Sequence, residues 1–337
     1  MRGAVRLGDL TTPALVLDAD VLRTNLSTMT AALPGRRLRP HVKAHKCTSL
    51  ARLQADAGHT AFTCATIKEA EGMARAGLGG DLLVANEVVD ARRLGALVDA
   101  GHRVTIAVDS PETVAAAVVG GVREVLVDVN VGLPRCGVAP EDAGRIADLG
   151  RAAGLGVRGV MGYEGHAVGL ADRAQRAEAV QRSASLLAAA HADVGGDVIS
   201  AGGTGSFDLN TVATEIQAGS YVLMDTAYGQ LDLPFGQALT VLATVISVNA
   251  AGGWAVVDCG LKALGMDHGN PASDVAEVWF CSDEHTVLSR TGGRLSVGDR
   301  VHLVPAHCDP TIAYHESLHL ARGDEVLEQW PVDLRGW

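Results

Sequence analysis

The stretch Ser200-Ala201-Gly202-Gly203-Thr204-Gly205-Ser206 decides the fold because of its place along the chain. It is a glycine-rich turn after the seventh of a series of predicted strands that alternate with predicted helices. Such alternation predicts a parallel sheet, and a glycine-rich turn after the first strand would favour an open, doubly wound one. A late turn and a count of eight strands favour a closed (β/α)₈ barrel, with the open sheet as the alternative.

The eight predicted strands are short, mostly apolar segments, with helical segments between most of them. They run over Leu38–Lys43, Ala61–Ala65, Asp81–Ala85, Arg103–Val108, Glu124–Val131, Gly156–Tyr163, Asp197–Ala201 and Glu215–Met224.

Beyond about residue 238 the pattern changes to short strands separated by turns, among them Gly252-Gly253 and Gly292-Gly293. The predicted strands here are Leu239–Val248, Trp254–Asp258, Val275–Phe280, Thr286–Ser289, Arg300–Val304 and Leu318–Leu320. We therefore expect a (β/α)₈ barrel over residues 20–237. A β-strand domain is expected from residues 238–337 together with 1–19, which contain an early strand at Leu15–Leu17.

Composition excludes several classes of protein. The chain has 337 residues, 47% of them hydrophobic, and a formal net charge of −11, which argues against a nucleic-acid partner. No apolar run approaches the roughly 18 residues of a membrane span, and the first residues lack the apolar core of a signal peptide. The six cysteines form no Cys-x-x-Cys pair and suggest no disulfide framework. We expect a cytoplasmic protein.

The ends of the predicted barrel strands carry the candidate functional residues, since function gathers there in such barrels. Lys43 ends the first strand within Arg39-Pro40-His41-Val42-Lys43-Ala44-His45-Lys46. A desolvated lysine has a lowered pKa, and its neutral amine attacks an aldehyde. A basic strand end at the surface is the alternative. The turn at Gly202, Gly203 and Thr204 offers backbone N–H groups to a phosphate, although a plain tight turn would have the same sequence.

An isolated lysine and a phosphate-binding turn together suggest pyridoxal phosphate (PLP). Arg135, in the loop after strand five, is a candidate for binding the ring or the substrate carboxylate. After strand six, Tyr163 is a candidate for stacking on the ring and His166 for a catalytic base. Ser200 and Tyr221, on strands seven and eight, complete the predicted cofactor site. The alternative for Arg135 is a surface loop arginine, that for His166 is a loop histidine with satisfied hydrogen bonds, and that for Tyr163 is core packing.

The β-strand domain carries a second candidate site, Pro305-Ala306-His307-Cys308-Asp309-Pro310. In an extended segment residues i and i+2 point the same way, so His307 and Asp309 would face one side and Cys308 the other. An imidazole and a carboxylate suit Mn²⁺ or Mg²⁺, with Zn²⁺ as an alternative. A structural hydrogen bond between the two residues explains the pattern equally well.

In order along the chain, these segments resemble the D-threonine aldolase and eukaryotic-type D-serine dehydratase family, which are fold-type III PLP enzymes related to alanine racemase. The segments that carry the resemblance are Arg39–Lys46, Gly162–His166, Ser200–Thr204, Asp258–Ala263 and His307–Thr311. The resemblance implies a barrel plus a β domain, usually in a homodimer. It also implies Lys43 as the lysine that forms the Schiff base and a divalent metal at His307 and Asp309.

The resemblance leaves the reaction open between two lyase activities on small D-3-hydroxy-amino acids. Dehydratases of the family tend to carry His-x-Cys and aldolases His-x-Asp, so Asp309 indicates the aldolases, although Cys308 complicates the assignment. The predicted activity is therefore retro-aldol cleavage to glycine and an aldehyde, with D-serine or D-3-hydroxyaspartate dehydration as the runner-up. A non-enzymatic PLP carrier would lack the C-terminal domain. A racemase, using a tyrosine such as Tyr314, would leave the metal pair unexplained.

Overall fold

The computed structural model describes residues 5–290 and 295–337 and divides the chain into two compact units. The barrel unit comprises residues 29–43, 50–219 and 334–337. The β unit comprises the described residues of 1–28, 44–49 and 220–333. Within the described residues, no helix combines the length and the apolar character needed to cross a membrane.

A seven-stranded parallel sheet, in which the strands follow one another in chain order, forms the barrel unit. Its strands are β2 (Phe62–Cys64), β3 (Leu82–Glu87), β4 (Val104–Val108), β5 (Glu124–Asp128), β6 (Gly156–Gly162), β7 (Val198–Ala201) and β8 (Glu215–Ile216). All five residues of β4 are buried. One buried residue from each of β3, β4, β5 and β6 forms a core cluster of Leu83, Ala107, Leu126 and Met161.

Residues 38–43, before β2, form a closing segment that completes the sheet through single bridges. Leu38 pairs with Ile216 of β8, and His41 pairs with Thr63 of β2. The predicted strand Leu38–Lys43 was too long, since Val42–Ala44 forms a 3₁₀ turn. Pro40 lacks the N–H that a full ladder needs, which explains the short pairing. Because of this turn, and because Lys46 has a positive φ of 46°, no regular strand connects Lys43 with Lys46.

The helices begin at residues suited to helix starts. Thr66 precedes the helix Ile67–Arg75 and accepts a hydrogen bond from the backbone N–H of Glu69. Ser110 precedes the helix Pro111–Val119 and accepts one from the backbone N–H of Thr113, with Pro111 at the first helical position. The helices are α1 (Ala19–Ala32), α2 (Thr48–Asp56), α3 (Ile67–Arg75), α4 (Arg92–Asp99), α5 (Pro111–Val119), α6 (Ala143–Ala152), α7 (Arg173–Val194), α8 (Thr226–Gly229) and α9 (Cys308–Tyr314).

A mostly antiparallel sheet forms the β unit. Its strands are β1 (Ala14–Asp18), β9 (Leu239–Asn249), β10 (Trp254–Val257), β11 (Val278–Cys281), β12 (Thr286–Ser289), β13 (Arg300–Leu303), β14 (Ser317–Arg322) and β15 (Glu325–Pro331). They follow the order β11-β12-β10-β9-β1-β14-β15, with β13 paired to β9. The early strand β1 runs parallel to β14 and antiparallel to β9. The sequence did not predict β15, whose residues are mostly exposed and lack a clear apolar alternation.

Two further predictions of local structure were wrong. The last barrel strand was expected over Glu215–Met224, but β8 ends at Ile216, and Ser220–Val222 is a 3₁₀ turn in the β unit. The segment around His307 and Asp309 was expected to be extended, but α9 begins at Cys308. The predicted turn at Gly252-Gly253 is present, with Gly253 at a φ of 75°. The other predicted turn, Gly292-Gly293, lies outside the described residues.

Candidate functional site

Lys43 lies in the 3₁₀ turn that ends the closing segment of the barrel unit. Lys43 is partly buried, and its neighbours in the sequence, Val42 and Ala44, are fully buried. The backbone N–H of Lys43 donates to Nδ1 of His41 over 3.5 Å, a long hydrogen bond. The lysine therefore stands at the carboxyl end of the closing segment, which is the end where barrel enzymes carry their chemistry.

The loops after β5, β6 and β7 bring together three of the predicted residues. The guanidinium carbon of Arg135 lies 5.5 Å from the ring centroid of Tyr163, within the range of a cation–π contact. A methyl group added at Gly203 would lie 3.3 Å from Cε2 of the same ring. The tyrosine ring thus lies between the arginine and the glycine-rich turn, and a larger residue at 203 would fill that space.

His166 is exposed and stands over the loop that follows β5. A methyl group added at Gly132 would come within 2.8 Å of Cε1 of His166, and Gly132 has a φ of 126°. Only glycine suits both the conformation and the close approach. The imidazole is therefore near the segment that carries Arg135.

Glu164 organises the glycine-rich turn, and the sequence analysis missed it. The carboxyl group is buried and accepts hydrogen bonds from the N–H of Gly202 at 3.2 Å and the hydroxyl of Ser206 at 2.9 Å. Asn210 donates a third at 3.3 Å. The N–H of Gly203 donates to Ser206 at 3.1 Å. The N–H groups of Gly202 and Gly203, which were expected to hold a phosphate, are thus already hydrogen-bonded to protein side chains. These bonds fix the conformation of the turn.

The structure gives buried contacts for two further residues that were predicted for the cofactor site. Ser200 is buried in β7, where its hydroxyl accepts a hydrogen bond from Nε2 of Gln217 at 2.9 Å. Tyr221 belongs to the β unit, is fully buried and packs against Phe235 with 5.7 Å between ring centroids. Thr204, next to the two glycines, is buried in the turn itself.

Acidic residues at the ends of three consecutive strands form a second feature that was not predicted from the sequence. They are Glu87 at the end of β3, Asp109 just after β4 and Asp128 at the end of β5. Burial, together with the neighbouring charge of Glu87, raises the pKa of Asp128 well above its usual value. A hydrogen bond with Glu87, with burial, raises the pKa of Cys136 to about 11. Asp109 accepts the backbone N–H of Gly137 at 3.2 Å and so fixes the loop that carries Arg135. The signal available in the sequence was an acid at or just after each of β3, β4 and β5.

In the β unit, His307 and Asp309 stand at the start of α9. His307 precedes the helix in an extended conformation, and Asp309 is its second residue. Cys308 between them is fully buried, and its backbone N–H donates to Asp225 at 2.9 Å. Burial is the main reason why the pKa of the Cys308 thiol lies well above its usual value. Because the thiol is fully buried, the accessible donors here are nitrogen and oxygen.

A loop that the sequence analysis did not single out adds two donors beside His307. Nδ1 of His307 lies 2.7 Å from Oδ2 of Asp267, and the ring of His268 stacks on that of His307 at 4.2 Å and 3°. Asp267, His268 and His307 offer ligand atoms within 4.8 Å of one another. Burial raises the pKa of Asp267, but the hydrogen bond and charge of His307 outweigh it, so this pKa is lowered. By type, nitrogen and oxygen donors such as these suit a borderline or hard divalent ion.

The comparisons with known proteins agree with this architecture. Residues 17–227 match the family model "Alanine racemase, N-terminal domain", and residues 238–321 match "Putative serine dehydratase domain". The chain belongs to this family of fold-type III enzymes. The predicted fold, a TIM-like α/β barrel followed by a mainly β domain, is confirmed.

Three relatives, each matched over nearly its whole length, are lyases by name. The chain is 34% identical to a 3-hydroxy-D-aspartate aldolase of Paracoccus denitrificans (strain Pd 1222), covering 97% of this chain and 93% of the relative. The crystal structure of a D-threonine aldolase from Filomicrobium marinum is 34% identical, with a TM-score of 0.92 over 100% of this chain and 99% of that one. A D-threo-3-hydroxyaspartate dehydratase of Delftia sp. (strain HT23) is 30% identical, covering 97% and 98%.

Proposed function

We propose that the protein is a PLP- and divalent-metal-dependent aldolase that cleaves D-3-hydroxy-amino acids to glycine and an aldehyde. The observation that carries this proposal is the donor set at His307 and Asp309. Dehydratases of the family tend to have a cysteine two residues after the histidine, but this chain has Asp309 there. The neighbouring thiol of Cys308 is buried. An oxygen and a nitrogen donor favour Mn²⁺ or Mg²⁺ over a thiolate-bound zinc. The two aldolases at 34% identity support the same choice.

The barrel unit supplies the residues that would hold PLP, and their chemistry fits it. We assign the aldehyde to the amine of Lys43, and the substrate carboxylate or the ring to Arg135 and Tyr163. With the N–H groups of Gly202 and Gly203 engaged by Glu164 and Ser206, we assign the phosphate to the turn from Thr204 onward. Ser200 and Tyr221 were predicted as ligands, but their buried contacts make them supports of the fold in this proposal.

In the cleavage, His166 takes the proton of the substrate β-hydroxyl, the Cα–Cβ bond breaks and the β-carbon leaves as an aldehyde. The electron pair of that bond remains with Cα, which takes up a proton to give glycine. When bound, PLP would stabilise this electron pair, and a divalent ion held by His307 and Asp309 would make the hydroxyl more acidic. Arg135 fixes the orientation of the substrate through its charge. His166 is exposed, so it exchanges its proton with water between turnovers.

Product analysis with D-threonine, PLP and Mn²⁺ tests the proposal. An aldolase yields glycine and acetaldehyde, while a dehydratase yields 2-oxobutanoate and ammonia. L-Threonine under the same conditions is the stereochemical control and should remain uncleaved. A preponderance of 2-oxobutanoate would establish the runner-up, which the similarity to the Delftia dehydratase supports.

We also propose that the chain acts as a homodimer, because the family it resembles is usually dimeric. Light scattering after size-exclusion chromatography tests this. A mass of about 70 kDa, twice the 34.8 kDa of the chain, is expected. A mass equal to that of one chain would contradict it.

A further inference from the structure

We infer that Asp267 is a positioning residue that fixes the tautomer of His307, and so determines which ring nitrogen is presented to the metal ion. The inference rests on the metal site of the proposed function. The two atoms concerned, Nδ1 of His307 and Oδ2 of Asp267, are 2.7 Å apart. An ionised carboxylate only accepts hydrogen bonds, so Nδ1 must carry the proton. The lone pair on the imidazole that remains for a metal is then that of Nε2.

The backbone holds Asp267 in this place. Gly265, two residues earlier, forms an antiparallel bridge with His307. The N–H of Gly265 donates to the hydroxyl of Thr311 at 2.9 Å, and this hydroxyl donates to the carbonyl of His307 at 2.7 Å. A side chain at 265 would collide with Pro310 of α9. The loop can approach the start of α9 this closely only because residue 265 is a glycine.

The same geometry argues against Asp267 and His268 as ligands of the ion. The lone pair of an imidazole lies in the plane of its ring, and the rings of His268 and His307 are parallel within 3° at 4.2 Å. Lone pairs in two parallel planes do not converge on one ion. Asp267 already shares a proton with Nδ1, and a metal ion cannot occupy that same short contact. Asp267 thus acts through His307, as carboxylates behind metal-binding histidines commonly do, while His268 packs against the face of the ring.

Asp267 also suits this role because its side chain is 55% exposed. Its replacement therefore removes the hydrogen bond without opening a cavity in the core. Asp283 provides a matched control. It lies in the same unit, its side chain is 74% exposed, and its contact with Lys262 at 3.9 Å is long. Replacing either residue by asparagine removes one negative charge, but only Asp267 contacts His307.

The test compares wild type, Asp267→Asn, Asp267→Ala, Asp283→Asn and His307→Ala, all with PLP bound. Mn²⁺ affinity is measured by calorimetry, and the tautomer of His307 by ¹H–¹⁵N NMR of the metal-free protein, with His307→Ala assigning the signal. We expect the Asp267 variants to bind Mn²⁺ about 10- to 100-fold more weakly, as outer partners of metal ligands do. We also expect Asp267→Ala to lose the fixed Nδ1–H form. Asp283→Asn should match wild type in both measurements.

The outcomes separate this inference from the proposed function. Unchanged affinity and tautomer in Asp267→Ala, with tight binding in wild type and none in His307→Ala, would overturn the inference and leave the metal site in place. Complete loss of binding in Asp267→Ala, equal to that in His307→Ala, would make Asp267 a direct ligand and also overturn it. If wild type binds no Mn²⁺, the proposed metal site fails. In that case an Nδ1–H tautomer that depends on Asp267 would show only that the hydrogen bond exists. The inference that Asp267 positions a metal ligand would be overturned as well.

Discussion

Replacing Asp81 by asparagine is expected to destabilise the barrel unit by about 2 to 5 kcal/mol. Asp81 stands just before β3, with its side chain only 2% exposed. Its carboxylate lies 3.2 Å from the buried guanidinium of Arg39, 3.1 Å from Arg158 and 3.1 Å from Arg36. Arg39 also contacts Glu215 at 2.7 Å, so these charges form one network that involves β3, β6, β8 and the closing segment.

The magnitude follows from the pKa of Asp81. Burial alone would raise this pKa, but the charge of Arg39 and the hydrogen bond and charge of Arg158 lower it from 3.8 to about 2. At about 1.4 kcal/mol per pH unit, the difference corresponds to about 2 kcal/mol in favour of the ionised folded state. Removing one partner of a buried network also leaves Arg39 and Arg158 with one fewer compensating charge, which extends the range to about 5 kcal/mol.

Urea unfolding at neutral pH, followed by circular dichroism, measures the effect. The carboxylate stabilises the fold fully above the unfolded pKa of about 3.8, and this stabilisation is lost as the pH falls through the folded pKa of about 2. The difference between wild type and Asp81→Asn should therefore shrink over that range. The control is Asp90→Asn, because the pKa of Asp90 is also about 2 but its pair with Arg92 is exposed to solvent. If both variants shift the unfolding midpoint equally, burial is not what makes the Asp81 network stabilising.

Three further predictions concern the candidate site. Lys43→Ala should abolish the visible absorption of bound PLP while Lys46→Ala retains it, and the reverse result would move the cofactor to Lys46. Chelation with EDTA should stop turnover but leave that absorption unchanged, since the proposed ion would act on the substrate hydroxyl and not on the lysine; full activity in EDTA would make the metal dispensable. Cys308→Ser should leave Mn²⁺ affinity unchanged because the thiol is buried, whereas Asp309→Ala should weaken it strongly, and calorimetry that showed the opposite would assign the ligand to Cys308.

The sequence predicted the interior of the barrel well because its strands are buried runs of apolar residues. β4 is buried at every position, so its pattern needs no information from elsewhere in the fold. The closing segment is different, since it pairs by single bridges around Pro40 and then turns at Val42–Ala44. A run of basic residues with one proline does not show where an extended segment ends. Lys43 was identified as a candidate all the same, because its residue type and approximate place carried the prediction.

The contacts that shape the candidate sites depend on pairs far apart in the sequence. Glu164 meets Gly202 and Asn210 across 38 and 46 residues, and Asp267 meets His307 across 40. Nothing in the local pattern around either acid distinguishes it from an ordinary loop carboxylate. By contrast, Arg135 and Tyr163 were both predicted from their places after neighbouring strands. The guanidinium group of Arg135 does lie within cation–π distance of the Tyr163 ring. Topology was thus predictable, while the partners within each loop were not.

The start of α9 shows how the donors of the proposed metal site depend on local conformation. On a regular strand, His307 and Asp309 would share a face. In a helix, residues i and i+2 lie about 200° apart around the axis, on nearly opposite sides. His307 stays extended, at a φ of −142° and a ψ of 117°, while Asp309 is already helical. The sequence contained the signal for this junction, since Asp309 and Pro310 are typical of a first helical turn. The irregular backbone does not bring Cys308 outward, because its N–H is anchored to the buried Asp225 and its thiol is packed inside. His307 and Asp309 therefore remain the accessible nitrogen and oxygen donors, although they do not lie on the regular strand that the sequence predicted.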